Sequence, residues 1–229
     1  MEHAPFNWFQ FLKEEHQSAG FAVVVAVLLV VFALRVRGKL AATERALDPD
    51  DGVSARNVAE AFVEAISGLA EGVIGHHYEK YVPLLASFFA FVLVGNLMGL
   101  VPGFKPPTSD FNVTFGLGVI SFLAYQTAGI KAHGVGKYIK HFLGPVALLA
   151  PLMFLIEMFS HAFRPVSLGI RLYANMFADH QVVEIFTEMT KVGIPVMFYV
   201  LGAFVSVVQA FVFTMLSAIY IALAVAGDH

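Results

Sequence analysis

The residue that most needs a chemical reason is Arg171. It lies inside His161–Ala178, HAFRPVSLGIRLYANMFA, with apolar turns on both sides and no loop signal nearby. A cation at membrane depth costs roughly 2.5 kcal/mol or more even on lenient insertion scales, so something must compensate it. Projected at about 100° per residue, Glu157, His161, Arg164, Arg171, Asn175 and Asp179 fall within about 40° of one line. Polar groups persist in an apolar segment only where they are paired or wetted. The stripe therefore predicts an aqueous path or a facing polar partner. For Arg164 and Asp179, snorkelling to the headgroups is the competing explanation. It fails for Arg171, which is surrounded by Ser167, Gly169 and Ala174, small residues that let another helix approach closely.

On the opposite side of the same segment, His180 and Glu184 are spaced i, i+4, with Glu188 one turn further. Such a pair could ligate a metal, but a third ligand is missing and no metal is expected. A buried titratable pair that passes protons fits better, with a helix-end cap or ion pair as the plain alternative. Gln209 is the most polar residue of the last apolar run and is expected to hydrogen-bond Arg171 across the helix pair. Ser206, Thr214 and Ser217 carry less weight, because hydroxyls can satisfy themselves on their own helix backbone.

The elements that must position these groups are membrane helices. The chain is 58% hydrophobic and 14% charged, where a soluble domain carries about a quarter charged residues. Apolar runs long enough to cross a bilayer recur, so the fold class is an all-α polytopic membrane protein. A net charge of -3 argues against nucleic-acid binding. With no cysteine, disulfides, thiolate metal sites and thiol chemistry are excluded. No nucleotide-binding motif is present, so neither catalysis nor a cofactor is expected. The N-terminus lacks a basic n-region and a cleavage site, so no removable signal is expected.

In chain order, residues 1–18 form an external segment in which Phe6, Trp8 and Phe9 suit an interface anchor. Residues 19–34 make the first spanning helix. Arg35, Arg37, Lys39 and Arg45 then place its far end in the cytoplasm and the N-terminus outside. Residues 35–79 are a cytoplasmic linker and a surface helix. Between Asp50 and Gly75 an apolar stripe of Val58, Phe62, Ile66, Leu69 and Val73 opposes Asn57, Glu60, Glu64, Ser67 and Glu71, and Ser54 can cap the start. This helix lies on the membrane surface or docks on a partner.

Residues 80–130 form a transmembrane hairpin, Tyr81–Val101 and Phe111–Ile130, with an external Pro-rich tip. Asn96, Asp110, Asn112 and Thr114 sit on or near this hairpin, and Asn112 by itself is expected to act as a helix cap. Lys131, Lys137 and Lys140 return the chain to the cytoplasm. Val146–Thr190 then runs without a strong turn signal, roughly 65 Å if helical, and Val192–Ala226 is charge-free over about 50 Å. A hydrocarbon core is about 30 Å thick, so residues 146–226 are expected as a steeply tilted hairpin. Pro151 and Pro165 permit bends, Gly193–Pro195 makes the turn, and the C-terminus is cytoplasmic. The whole chain, 1–229, reads as one membrane domain.

RPVSLGIRLYANMFADH followed by VVQAFVFTMLSAIYIALA, together with the hairpin text PPTSDFNVT, resembles subunit a of F-type ATP synthases. The resemblance covers residues 80–229 and, more loosely, the first span and surface helix. It implies a stationary subunit in a bacterial plasma (inner) membrane that conducts protons through two offset half-channels. Its implied partners are a ring of c subunits, the b subunits of the peripheral stalk and the rest of the complex. By that resemblance Arg171 looks like the essential arginine facing the ring, Gln209 the glutamine beside it, and Asn175 the asparagine one turn on. Glu157 resembles the acidic residue of the cytoplasmic half-channel, with Ser160 and Ser167 at lining positions. His180 stands where bacterial members often carry Glu, and Gly202 where some carry His. An external relay through His180 and Glu184 is expected. His161, Asp110, Asn112 and Ser206 are expected as further channel-lining residues, with no half-channel assigned to His161. Two other classes compete: a self-contained ion-coupled secondary transporter, which usually shows internal repeats, and a purely structural anchor. No repeat is present.

Overall fold

Long apolar runs in lipid can satisfy their backbone only as helices, and helices are what the chain forms. The computed structural model describes residues 14–42, 54–101, 104–136, 138, 150–190 and 193–226. Among these, six long α-helices succeed one another with no strand: α1 Glu14–Ala42, α2 Ala55–Ile74, α3 Val82–Met98, α4 Phe111–His133, α5 Ala150–Met189 and α6 Gly193–Val225. The anchor around Phe6, Trp8 and Phe9, the basic residues Arg45, Lys137 and Lys140, and the C-terminal Gly227–His229 lie outside the described residues. So do residues 146–149 and 192, the expected starts of the two last runs.

Helices α1 (over Gln17–Gly38), α4 and α6 are long and apolar enough to cross a membrane, and α3 is a shorter apolar helix of 17 residues. The chain is thus an all-α polytopic membrane protein. Helix α5 runs 40 residues and α6 33, about 60 and 50 Å. Neither fits upright in a core of about 30 Å.

Two corrections concern the ends of helices. Gly193–Pro195 is not the turn between the two long helices but the first turn of α6, where a proline's missing N–H is harmless. At α4, the cap is Asp110 and not Asn112. The Asp110 carboxylate accepts from the Asn112 backbone N–H at 2.8 Å, while the Asn112 side chain is exposed. Pro165 stays inside α5.

The amphipathic helix α2 is capped as expected, Ser54 accepting from the Asn57 N–H at 3.2 Å. Its apolar stripe packs against its own chain. Ile66 and Ala70 are buried among Val82 and Leu85 of α3, Tyr125 and Ala128 of α4, and Ala218 and Ile221 of α6, with Phe62, Leu69 and Val73 against them. Only Val58 of the stripe, 52% exposed, takes no part. Glu60, Glu64 and Glu71 face outward. A second cluster joins Phe88 and Val92 of α3, Leu168, Leu172 and Met176 of α5, and Ala210 and Phe213 of α6. Within it Phe88 meets Phe213 edge-on, centroids 5.4 Å apart.

Helix α4 touches α5 backbone to backbone. A Cβ at Gly118 would stand 2.5 Å from the Pro165 carbonyl oxygen, and one at Gly169 would stand 3.0 Å from the Phe115 Cα. Small residues at a membrane helix crossing allow this approach. A side chain at Gly118 must push the two backbones apart, an overpacking that typically costs about 1–3 kcal/mol. Gly118→Ala should therefore lower the unfolding midpoint of the detergent-solubilised protein. Gly116→Ala, where a Cβ meets nothing within 4 Å, should leave it unchanged or slightly raised.

Candidate functional site

The rotation of α5 about its own axis is set by its buried face. Leu168, Leu172 and Met176 recur every four residues and point into the α3–α6 cluster. Arg171, one residue from Leu172, is thereby turned out of the bundle and is exposed. Among the described residues nothing hydrogen-bonds or ion-pairs with its guanidinium. The strip along it is made of exposed Ser160, Ser167, Ala174 and Ala178, bordered by exposed Phe163, Ile170 and Phe177.

Gln209 departs from its expected pairing. Its side-chain oxygen accepts from the Asn175 amide at 2.7 Å, so Asn175, not Arg171, is its partner. Gln209 is buried and Asn175 exposed. The pair links α5 to α6 one turn from Arg171 and leaves the cation unengaged among the described residues. Ser206 and Ser217 satisfy their hydroxyls on the Gly202 and Phe213 carbonyls of their own helix, as expected. Thr214 does not: its hydroxyl is buried with no partner among the described residues.

The stripe that reads as one line on α5 meets three environments. Toward the α2 end, His161 is only 9% exposed within the chain. Its Nε2 lies 3.2 Å from Glu157 Oε1, and its Nδ1 lies 3.1 Å from the Tyr125 hydroxyl on α4. Arg164 does not extend freely to the surface. Its guanidinium stacks over the rings of Tyr125 and Tyr220, 5.6 and 5.2 Å from their centroids, a cation–π arrangement. Beside it an open groove of about 550 Å³ is bordered by Ser160, Arg164, Ser167 and Tyr220. In the middle stands outward Arg171. Toward the opposite end, half-buried Asp179 lies against Gly202 of α6, so closely that a Cβ there would stand 2.6 Å from its Oδ2.

His180 and Glu184 do not form the expected buried pair, since His180 is half-buried and Glu184 exposed. The Glu188 side chain is outside the described part. Among the described residues no three His, Asp or Glu gather around a metal-sized site. At the α3–α4 tip the Thr108 hydroxyl donates to the Asn96 side-chain oxygen at 2.5 Å, both residues being buried. Asp110 is half-buried and close by in sequence.

The polar residues of α5 are legible from their spacing. Tyr125 and Tyr220 are not, because a tyrosine in an apolar run reads as ordinary aromatic packing. Only the register of α4 and α6 against α5 puts their hydroxyls and rings against His161 and Arg164.

The family model for the ATP synthase A chain matches residues 19–222. ATP synthase subunit a of Bdellovibrio bacteriovorus is 45% identical over 227 residues, covering 98% of this chain and 99% of its own. That of Solibacter usitatus is 41% identical over 208 residues, 90% of this chain and 85% of its own. ATP synthase subunit a 3 of Pelobacter propionicus is 40% identical over 221 residues, 95% of each. The chain belongs to the ATP synthase A chain family, as a membrane subunit a of the F-type ATP synthase complex.

Proposed function

We propose that this chain is the stationary, non-catalytic subunit that passes protons to and from a rotating ring of c subunits, coupling the proton gradient to ATP synthesis. The observation that carries the reading is Arg171. It is a cation turned out of the bundle, with no partner among the described residues, on a strip of short side chains in an otherwise apolar surface. A charge so placed calls for an anionic partner from outside the chain. A carboxylate on a passing ring subunit supplies one.

Such a carboxylate travels through lipid protonated and neutral. Beside Arg171 it ionises. Two opposite unit charges about 4 Å apart attract by about 4 kcal/mol at an effective dielectric near 20, roughly three pKa units. That releases a proton which burial would otherwise hold. A guanidinium stays charged in proteins, so it also bars a direct leak between two half-channels. Glu157, Ser160 and Ser167 line the inner one, beside the Arg164 groove. Asp110, Asn112, Asp179, His180 and Glu184 serve the outer one, with Ser206 nearby on α6. Each proton crossing contributes about 2.3 kcal/mol per 100 mV. The c ring contacts the exposed face of α5, and the b subunits of the peripheral stalk hold the chain still.

Replacing Arg171 by Ala should abolish proton-driven ATP synthesis in membrane vesicles while the complex still assembles. Coupled synthesis retained in that variant would refute the reading and favour a structural anchor. Orientation has its own check, because the chain contains no cysteine. A lone Cys at exposed Lys131 should react with an impermeant thiol reagent from the cytoplasmic side. One at exposed Lys105 should react from outside, and the reverse pattern would overturn the topology.

A further inference from the structure

His161 is buried, and its neighbours form a chain of contacts across two helices. The Tyr125 hydroxyl lies 3.1 Å from His161 Nδ1 and 3.5 Å from the His161 carbonyl oxygen. That carbonyl lacks its helical donor, because the residue four positions on is Pro165, which has no N–H. On the other side, Nε2 stands 3.2 Å from Glu157 Oε1. The ring of Tyr125 is itself buried, 1% exposed, and carries the Arg164 guanidinium on its face. Among the described residues, the charged and titratable groups near His161 include Glu157 and Arg164 on its own helix, Tyr125 on α4, Tyr138 just beyond α4 and Tyr220 on α6.

We propose that His161 is a positioning residue for Glu157: held from behind by Tyr125, it keeps the carboxylate in one orientation, one helical turn from Ser160 and the groove. This rests on the reading that Glu157 exchanges protons on the inner half-channel.

The clamp works in both charge states of the imidazole. When the ring is neutral, the Tyr125 hydroxyl donates to Nδ1 and the ring proton sits on Nε2, toward Glu157. When the ring is protonated, Nδ1–H donates to the hydroxyl, whose own proton turns to the His161 carbonyl oxygen 3.5 Å away. Nε2–H still faces Glu157. One proton is gained, every hydrogen bond of the clamp survives, and the carboxylate does not swing away as it loads and unloads. A residue that only filled space would not need a polar atom at each end of the ring. Sequence spacing places Glu157 and His161 one turn apart but says nothing of Tyr125. The third member comes only from the close α4–α5 crossing at Gly118 and Pro165.

The test uses the assembled synthase in inverted membrane vesicles, reading ATP-driven proton pumping and proton-driven ATP synthesis against the amount of chain incorporated. His161→Leu should lower both about tenfold, the scale expected when one charge-assisted hydrogen bond is removed from a working site. His161→Gln keeps a donor near the place of Nε2 and should recover most of that loss. In a cycle with Glu157→Gln, the double variant should be no worse than the poorer single variant, since the two residues act as one unit. If His161→Leu fails to assemble, Tyr125→Phe, which keeps the ring and removes only the hydroxyl, enters the same cycle and should also couple to Glu157.

Losses that multiply in the double variant, or a Gln variant as impaired as the Leu variant, would overturn the inference while leaving the inner half-channel intact. If Glu157→Gln alone leaves proton flow unchanged, the half-channel reading fails and the inference falls with it.

Discussion

The close crossing of α4 and α5 governs the rest of the molecule. Where Gly118 meets the Pro165 carbonyl and Gly169 meets the backbone of Thr114 and Phe115, there is room for no side chain at all. This crossing holds α5 against the bundle and brings Tyr125 to His161. It acts together with Leu168, Leu172 and Met176, which bury the neighbouring face. With that face committed inward, Arg171 has only the outside left. The exposed cation is thus a product of packing on the other side of its helix.

The polar groups of the bundle follow a consistent division. Apart from the Thr214 hydroxyl, buried without a partner among the described residues, those discussed above mostly find one inside the chain: Asn175 with Gln209, Ser121 with Ser217, Thr108 with Asn96, Arg164 with two tyrosine rings. In lipid each unsatisfied group is costly, and helix pairs register so that such groups meet. Arg171 stands apart from this pattern. The Asn175–Gln209 bond even removes the neighbour that sequence spacing suggests for it. An amide pair that satisfies itself does not compete for the guanidinium, which leaves the charge available to a group arriving from elsewhere.

Much of this is legible in the residues. The length of α5 follows from the lack of any breaker except prolines that a helix can bear, and the amphipathic stripe of α2 is clear, down to its Ser54 cap. The family is legible in the text around Arg171 and Gln209. What fails has a common cause. Periodicity places a side chain on a line along its own helix, but not at an angle relative to the neighbouring helix. Glu157, His161, Arg171 and Asp179 share a line, yet one lies against an imidazole nitrogen, one is buried, one is turned outward and one is pressed against a glycine of α6. That division depends on how α4 and α6 pack along α5. The same limit explains why spacing alone pairs Gln209 with Arg171, and why Asp179 and Gly202 give no sign of touching. Asn112 yields its capping role to Asp110 for a simpler reason: both residue types cap well, and only the backbone shows which one precedes the first helical turn.

The strip of Ser160, Ser167, Ala174 and Ala178 alongside Arg171 has one more mechanical meaning. Helices interlock when tall side chains form ridges that drop into facing grooves. A track paved with hydroxymethyl and methyl groups has almost no relief, and dispersion forces have no preferred direction along it. A helix gliding past would feel little corrugation, with the lone guanidinium as the one detent. Low friction everywhere and a single electrostatic notch is the profile a bearing needs if it is to turn readily yet stop at a defined angle.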